Sequence, residues 1–362
     1  MGKVNFLGVE LQSPFIVGSG PLSYDANGLI RLHEAGAGAV VIKTIRGETC
    51  INPVPHMLKA TANNSLINCE KWSDLEFEQW CKVEIPRAVQ AGVKVIASVG
   101  HSIEESRHLV APAEKAGASF IELVSYTNDL VDMIVDAKKQ VKIPVLAKVS
   151  CNHANWLEVA MECEKAGADA LTLCDSIGPV LEIDIATGKP VMGGEGGYGW
   201  LSGGAIKAVI LQKIAEVRKH VKIPIVGLGG LATAKDGMEM LMAGANMMGL
   251  CSILILKTPE YLKKLRADFD GLMDQYGYAD IDTISGMTQP YLFAPETLGT
   301  LPFSFDASKC TKCKLCERAC CYRARKMDET DMTMHLNQNE CRYCGLCASM
   351  CPTGALSYKP QA

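Results

Sequence analysis

Two cysteine frames near the C-terminus are the residues whose spacing most directly implies chemistry. Cys310, Cys313, Cys316 and Cys320 read CxxCxxCxxxC, and Cys341, Cys344, Cys347 and Cys351 repeat the frame with Pro352 directly behind. Three thiolates at such intervals wrap one face of a cubane [4Fe-4S] cluster, and the fourth cysteine of each run ligates the other cluster. The crossing rule assigns Cys310, Cys313, Cys316 and Cys351 to one cluster and Cys341, Cys344, Cys347 and Cys320 to the second. Zinc ligands come as two pairs, so a duplicated third cysteine argues against zinc. Cys321 stands where Pro352 stands in the second frame and is either a spare thiol or a register alternative to Cys320. A two-cluster segment of this kind moves electrons singly.

A second set of candidates lies at the ends of apolar runs. Lys43-Thr44 close one run and Lys148 sits in another. A snorkelling surface lysine explains either alone, whereas two at equivalent places suit an anionic or carbonyl-bearing cofactor. Two later runs end in Gly229-Gly230 and Cys251-Ser252, and Gly199-Trp200-Leu201-Ser202-Gly203-Gly204 reads as the opening of a helix. Glycine-rich turns of this type cradle phosphate with backbone N–H groups. A flat ring with one phosphate fits, and FMN converts between single electrons and electron pairs.

The elements that must position these residues are written as repeats. Ala-Gly-Ala recurs at 35–37, 116–118, 166–168 and 243–245, each time after a helical stretch and before a short apolar run. Glycine just past a helix is a left-handed C-cap, and a run buried on both faces is a parallel strand. Val-Lys-Ile-Pro at 141–144 and 221–224 leads into two further runs. Strands are predicted at 15–18, 39–44, 94–99, 120–124, 144–149, 170–175, 224–229 and 247–251. Eight parallel strands alternating with helices predict a closed (β/α)8 barrel. A doubly wound sheet is the alternative, but the first strand lacks a GxGxxG turn. Residues 4–14 read as a hairpin turning at Gly8 that plugs the barrel bottom. The predicted organisation is a barrel over 1–287, a Pro- and aromatic-rich ordered strap over 288–305 and a two-cluster domain over 306–362.

Composition narrows the partners. The 362 residues are 48% hydrophobic and 21% charged with net charge −4, so no basic stripe suits nucleic acid. No apolar run approaches the ~20 residues of a membrane helix. Met1-Gly2-Lys3-Val4-Asn5 does not resemble a secretory leader, and Cys50, Cys69, Cys81, Cys151, Cys163, Cys174 and Cys251 show no metal spacing. A reduced cytoplasmic setting is expected.

Residues 4–285 resemble the FMN domain of the dihydroorotate and dihydropyrimidine dehydrogenase superfamily. The pieces are SPFIVGSGP (13–21), VIKT (41–44), NPVP (52–55), INCEKW around Asn68, AKV (147–149), CDSIG (174–178), GWLSGGAIK (199–207), GLGG (227–230) and GLCS (249–252). With its C-terminal clusters the chain is similar to the FMN subunits of bacterial dihydropyrimidine dehydrogenases. The resemblance implies Ser19 and Gly20 under the flavin, and Lys43, Thr44 and Lys148 against its ring and ribityl region. It also implies Gly203, Gly229, Gly230, Cys251 and Ser252 at the phosphate and Asn68 on a substrate amide. Asp175 stands where the family usually has Asn, and Ser176 follows as expected.

The departure is at strand four, where the family has Asn followed by Ser-Cys-Pro or Ser-Ser-Pro. This chain has Glu122-Leu123-Val124-Ser125-Tyr126-Thr127-Asn128-Asp129. Without gaps Thr127 takes the catalytic place and Val124 replaces the Asn; shifted by one, Tyr126 takes it and Ser125 is retained. Cys151 and His153, beyond Lys148, are further acid candidates, His because it titrates near neutrality. The loop after this element is shortened, so a lid is missing or supplied from elsewhere. The reading is an enzyme that adds or removes two electrons at a C–C bond conjugated to a carbonyl, on a small molecule other than orotate or uracil. Electrons reach FMN through both clusters from a separate ferredoxin or NAD(P)H-oxidising flavoprotein subunit, and the resemblance implies a homodimer. Two alternatives stand beside it: an electron-transfer subunit without its own organic substrate, and a dihydropyrimidine dehydrogenase with Thr127 as acid.

Overall fold

The computed structural model describes residues 2–61, 64–127, 129–292, 294–296, 298–328, 330 and 333–358. It divides into two compact units, Met1–Leu292 and Phe293–Ala362. In the first, β1 (Phe15–Val17), β2 (Ala39–Val41), β3 (Val95–Gly100), β4 (Phe120–Val124), β5 (Val145–Val149), β6 (Ala170–Leu173), β7 (Ile225–Leu228) and β8 (Met247–Leu250) form a barrel. Each strand pairs in parallel with the next, and β8 returns to β1. The barrel is therefore closed, as predicted, and the open-sheet alternative is excluded.

The Ala-Gly-Ala joints are four copies of one cap. The N–H of each glycine (Gly36, Gly117, Gly167, Gly244) bonds to the carbonyl three residues back, and that of the following alanine to the one five back, at 2.8–3.2 Å. That is the Schellman pattern, and each glycine has a positive φ of +95° to +129° that a Cβ would strain. The Val-Lys-Ile-Pro joints are also alike. Glu114 Oε1 accepts the N–H groups of Lys142 and Ile143, and Glu164 Oε1 those of Lys222 and Ile223.

Alternation along the strands builds the interior in layers. Ile16, Val41, Ile96, Phe120, Leu146, Ala170, Val226 and Met247 point inward as an apolar layer, closed from below by Phe6 and Leu11 of the N-terminal hairpin Val4–Phe6/Val9–Leu11. Phe6 lies 5.7 Å from Phe120, ring to ring. Two residues further along each strand, at the C-terminal end of the barrel, the inward positions are Gly18, Lys43, Ser98, Glu122, Lys148, Thr172, Leu228 and Gly249. This upper layer carries the barrel's buried charge. The outward strand residues pack with the surrounding helices into the main core.

One expectation fails. Gly199–Gly203 is not a helix opening but a strand, pairing Trp200 with Asn68 and Gly203 with Ser65. With Met57–Lys59, Ser65–Asn68 and Ile177–Val180 it makes an antiparallel satellite sheet, and the helix starts at Lys207. The glycines serve close strand approach: a Cβ on Gly203 (φ +87°) would lie 2.2 Å from the Asn64 carbonyl oxygen.

Within the predicted strap, Gln289–Tyr291 is a 3-10 turn, and Gln289 Nε2 donates to the Ala215 and Ala243 carbonyls. Phe293 lies outside the described residues. Phe303–Phe305 pairs with Leu356–Tyr358 in the second unit, which also holds a hairpin, Arg325–Met327/Met334–Leu336. No helix among the described residues is long and apolar enough to cross a membrane.

Candidate functional site

At the C-terminal end of the barrel strands lies a cleft open to solvent. Ser19 and Gly20 enter it from the turn after β1, Lys148 from β5, and Asp175 and Ser176 from the turn after β6. Gly229 and Gly230 follow β7, and Cys251 and Ser252 follow β8. The satellite sheet supplies Met57, Leu66, Asn68, Ser202 and Gly203 as a wall. The wall thus comes from the excursions after β2 and β6 and not from the segment after β4.

The floor is ionic. Lys148 Nζ lies 3.3 Å from Asp175 Oδ2, and the Tyr126 hydroxyl donates to the same oxygen at 3.1 Å. Burial opposes charge on Lys148, but Asp175, Glu122 and Tyr126 outweigh it and hold the ammonium above its ordinary range. The negative charge of Asp175 raises the phenol of the half-exposed Tyr126 above its ordinary range, so it keeps its proton. Lys43, 5% exposed, pairs with Glu70, which also lines the cleft. Glu122 is 1% exposed; its Oε2 accepts from Thr172 at 2.8 Å, while Oε1 has no partner among the described residues. Burial pushes this carboxyl up, against the pull of Lys148 and Thr172.

The remaining predicted residues are placed as follows. Thr44 Oγ1 lies 2.9 Å from Ser98 Oγ and 3.5 Å from Ser19 Oγ, just below the cleft. Cys251 is a packing thiol, pushed up to about 12, chiefly by burial. Ser252 donates to Ser202 at 2.8 Å. Asn68 lines the cleft, and its Nδ2 reaches the Trp200 carbonyl at 3.4 Å. Thr127 is exposed and spends its hydroxyl on Ser125 (3.0 Å) and the Asp129 N–H (3.3 Å). His153 Nε2 lies 3.3 Å from the Ser125 carbonyl, tying two loops together. Cys151 is half-buried, and a hydrogen bond with Cys174 lowers its thiol. None of these last three is in the cleft lining, and neither are Tyr126, Lys43 and Thr44.

Sequence reasoning missed Glu70, Glu122 and His101. The His101 ring packs edge-on to Tyr126 at 5.2 Å and to Trp72 at 6.0 Å. Burial first, then Arg46, push its imidazole down to about 4 from 6.5. Between those values the unfolded chain binds a proton that the folded chain refuses, so stability falls as pH drops through this window. The expected loss from pH 7 to pH 4 is about 2–3 kcal/mol, measured by urea unfolding, and His101→Gln should remove that part of the slope.

The site suits a phosphate-bearing flat cofactor. Gly230 (φ +87°) turns so tightly against the helix at Lys207 that a Cβ would lie 2.4 Å from the Lys207 Cα, which leaves backbone rather than side chain facing the cleft. Lys148 also lines the cleft, and Lys43 pairs with the lining residue Glu70. Ring carbonyls suit the lysines and phosphate suits the glycines.

In the second unit both cysteine frames share one backbone path. Lys312 and Lys314 in the first frame and Tyr343 and Gly345 in the second have positive φ at matching places. The N–H groups of Lys312 and Tyr343 donate to Cys310 and Cys341 Sγ, each at 3.4 Å. Ala324 and Leu356 N–H groups do the same for Cys320 and Cys351, at 3.2 and 3.4 Å. Cys320, Cys341, Cys344 and Cys347 line one cavity, the set that the crossing rule predicts. Cys316 is pushed up by burial and, further, by Cys313 and Cys351, two thiols of the other predicted set. Cys321 is exposed, its thiol toward the Ala319 carbonyl. Among the described residues, no group of three or more His, Cys, Asp or Glu is placed to hold a single metal ion.

Comparison with known proteins agrees with both halves. Residues 108–273 match the dihydroorotate dehydrogenase family model, and residues 309–355 match the 4Fe-4S dicluster domain. The catalytic subunit of dihydroorotate dehydrogenase B (NAD(+)) from Methanothermobacter thermautotrophicus is 31% identical over 306 residues, covering 79% of this chain and 98% of the relative. Its counterpart from Thermoplasma volcanium is 33% identical, covering 77% and 96%. The NAD-dependent dihydropyrimidine dehydrogenase subunit PreA of Escherichia coli is 25% identical but covers 98% of this chain and 94% of its own length.

Proposed function

Because the chain belongs to the dihydroorotate dehydrogenase family, we propose that it is an oxidoreductase containing FMN and two [4Fe-4S] clusters that adds or removes two electrons at a carbon–carbon bond conjugated to a carbonyl. FMN, when bound, supplies the exchange between single electrons and electron pairs. Lys43 and Lys148 hold the polar edge of its ring, and Gly203, Gly229, Gly230, Cys251 and Ser252 surround its phosphate. Asn68 receives a substrate carbonyl or amide. The two clusters connect this site to an electron donor on a separate chain, a ferredoxin or an NAD(P)H-oxidising flavoprotein.

The observation that carries the reading is the run Tyr126–Asp175–Lys148, which reaches the cleft through Asp175 and Lys148. A phenol that keeps its proton beside a carboxylate, itself neutralised by a buried ammonium, is a proton source for a carbon centre that receives an electron pair. Tyr126 is the acid of choice over Thr127, Cys151 and His153 because its partner, Asp175, lines the cleft, whereas Ser125, Asp129 and Cys174, the partners of the other three, do not. Val124 in place of the family's Asn, and the missing Cys, point away from orotate and uracil.

The test is an anaerobic half-reaction. Holoprotein reduced with dithionite is mixed with cyclic enones, other unsaturated carbonyl compounds, uracil and dihydropyrimidines while the flavin spectrum is followed. Reoxidation by a conjugated carbonyl compound other than uracil is expected, and Tyr126→Phe should slow it by about 10²-fold or more with FMN still bound. Reoxidation by no organic compound would sink the enzyme reading in favour of an electron-transfer subunit. Uracil-driven reoxidation lost in Thr127→Ala would replace it with a dihydropyrimidine dehydrogenase.

A further inference from the structure

Arg325 opens the hairpin of the second unit, paired in register with Leu336, and only 5% of it is exposed. Its guanidinium lies 4.4 Å over the Phe303 ring, and Phe303 is itself packed edge-on to Tyr358. Its Nε and Nη2 have no hydrogen-bond partner among the described residues. Arg325 lines the same cavity as Cys320, Cys341, Cys344 and Cys347. A buried guanidinium cannot shed its proton, and without a counter-charge it is costly to keep out of water. The cation and its unused donors therefore call for an anionic acceptor in that cavity, and a thiolate-ligated cluster is one.

The duplicated frame makes the arrangement one-sided. At the place beyond Cys351 that corresponds to Arg325 beyond Cys320 stands Leu356, an apolar residue. The first frame has its own basic residues, but Lys309, Lys312 and Arg318 are exposed and Lys314 is half-buried, and Lys309 is paired with Asp306. Exposed charges are screened by water and salt, whereas a buried one acts at nearly full strength. Arg342, also in the cavity lining, is exposed and spends Nη1 on the Asn339 and Cys341 carbonyls.

We propose that Arg325 makes the two clusters unequal, so that the one held by Cys320, Cys341, Cys344 and Cys347 is the more easily reduced. Reduction adds one electron from an external donor to the cluster, breaks no bond, and raises the negative charge facing the guanidinium. The cation stabilises that reduced state more than the oxidised one, and burial, charge and hydrogen bonds to sulfur are the terms that set such potentials. The inference rests on the two-cluster reading above.

The experiment is an anaerobic redox titration of the full holoprotein with dithionite, followed by electron paramagnetic resonance. Wild type should show two separate one-electron waves. Arg325→Gln should move only the higher wave to more negative potential, by about tenfold in the reduction equilibrium (~59 mV for one electron), and Arg325→Lys should restore part of the shift. Cys320→Ser should abolish or displace the higher wave and leave the lower. Coincident waves in wild type, an unmoved higher wave in Arg325→Gln, or loss of the lower wave in Cys320→Ser would each overturn the proposal. The wild-type titration and the cysteine variant decide it even where the arginine variants do not fold. Iron for fewer than two clusters in wild type would instead overturn the underlying reading.

Discussion

Replacing Lys148 with methionine is expected to be the most damaging single change in the barrel. Its ammonium is the only cation in contact with Asp175 and the nearest to Glu122 among the described residues. Without it two carboxyls and a phenol face one another under the cleft, and removing one partner of a buried pair costs about 3–5 kcal/mol. Part of that cost is relieved when the carboxyls take up protons, so stability of the variant should recover toward acid pH, opposite in sign to the His101 effect. The cationic edge offered to the flavin ring is also lost, and removal of one preorganised electrostatic contact lowers rates by about 10²–10³. Urea unfolding at several pH values and the anaerobic half-reaction measure the two consequences separately. Lys148→Arg should keep most of the stability and less of the rate, because its planar fork does not occupy the ammonium's position. A methionine variant as stable and as fast as wild type would exclude the role given to Lys148.

The second large effect separates two adjacent cysteines. Cys320→Ser is expected to lower bound iron from about eight to about four atoms per chain, while Cys321→Ser leaves it unchanged. Cys320 lies in the cavity with Cys341, Cys344 and Cys347, and the Ala324 N–H donates to its sulfur at 3.2 Å. Cys321 faces outward, at the position that Pro352 takes in the second frame. Iron and acid-labile sulfide assays on anaerobically purified protein decide the matter. The reverse pattern would mean that the first frame is shifted by one residue.

Much of the barrel is legible because its signals are local. Ala-Gly-Ala marks helix exits through a cap that only glycine accommodates easily, and each cap lies directly before a strand, so strand starts fall within a residue or two of those read from sequence. The cluster ligands are legible for the same reason, since their spacing is set by one short turn. The upper interior layer is not. Glu122, Ser98 and Thr172 belong to three different strands, and each looks like an isolated polar residue in an apolar run until the barrel is closed and period-two alternation is applied from strand to strand. Only the two lysines stood out, being the largest violations of the apolar pattern. The satellite sheet was misread because glycine marks a turn, a helix entry and a close strand contact alike. What distinguishes them is the partner strand, and Ser202 meets Leu66 across 136 residues of chain. Arg325 is similarly silent in sequence, since a basic residue in a charged segment usually faces water.

The hairpin that seals the lower end of the barrel leaves it with a single mouth. Phe6 and Leu11 close the apolar layer from beneath, so the ionisable layer above it communicates with bulk water only past the cleft. Whatever fills the cleft is then also a stopper for the barrel. Glu122, 1% exposed and with Oε1 unpartnered among the described residues, lies in the layer that such a stopper covers.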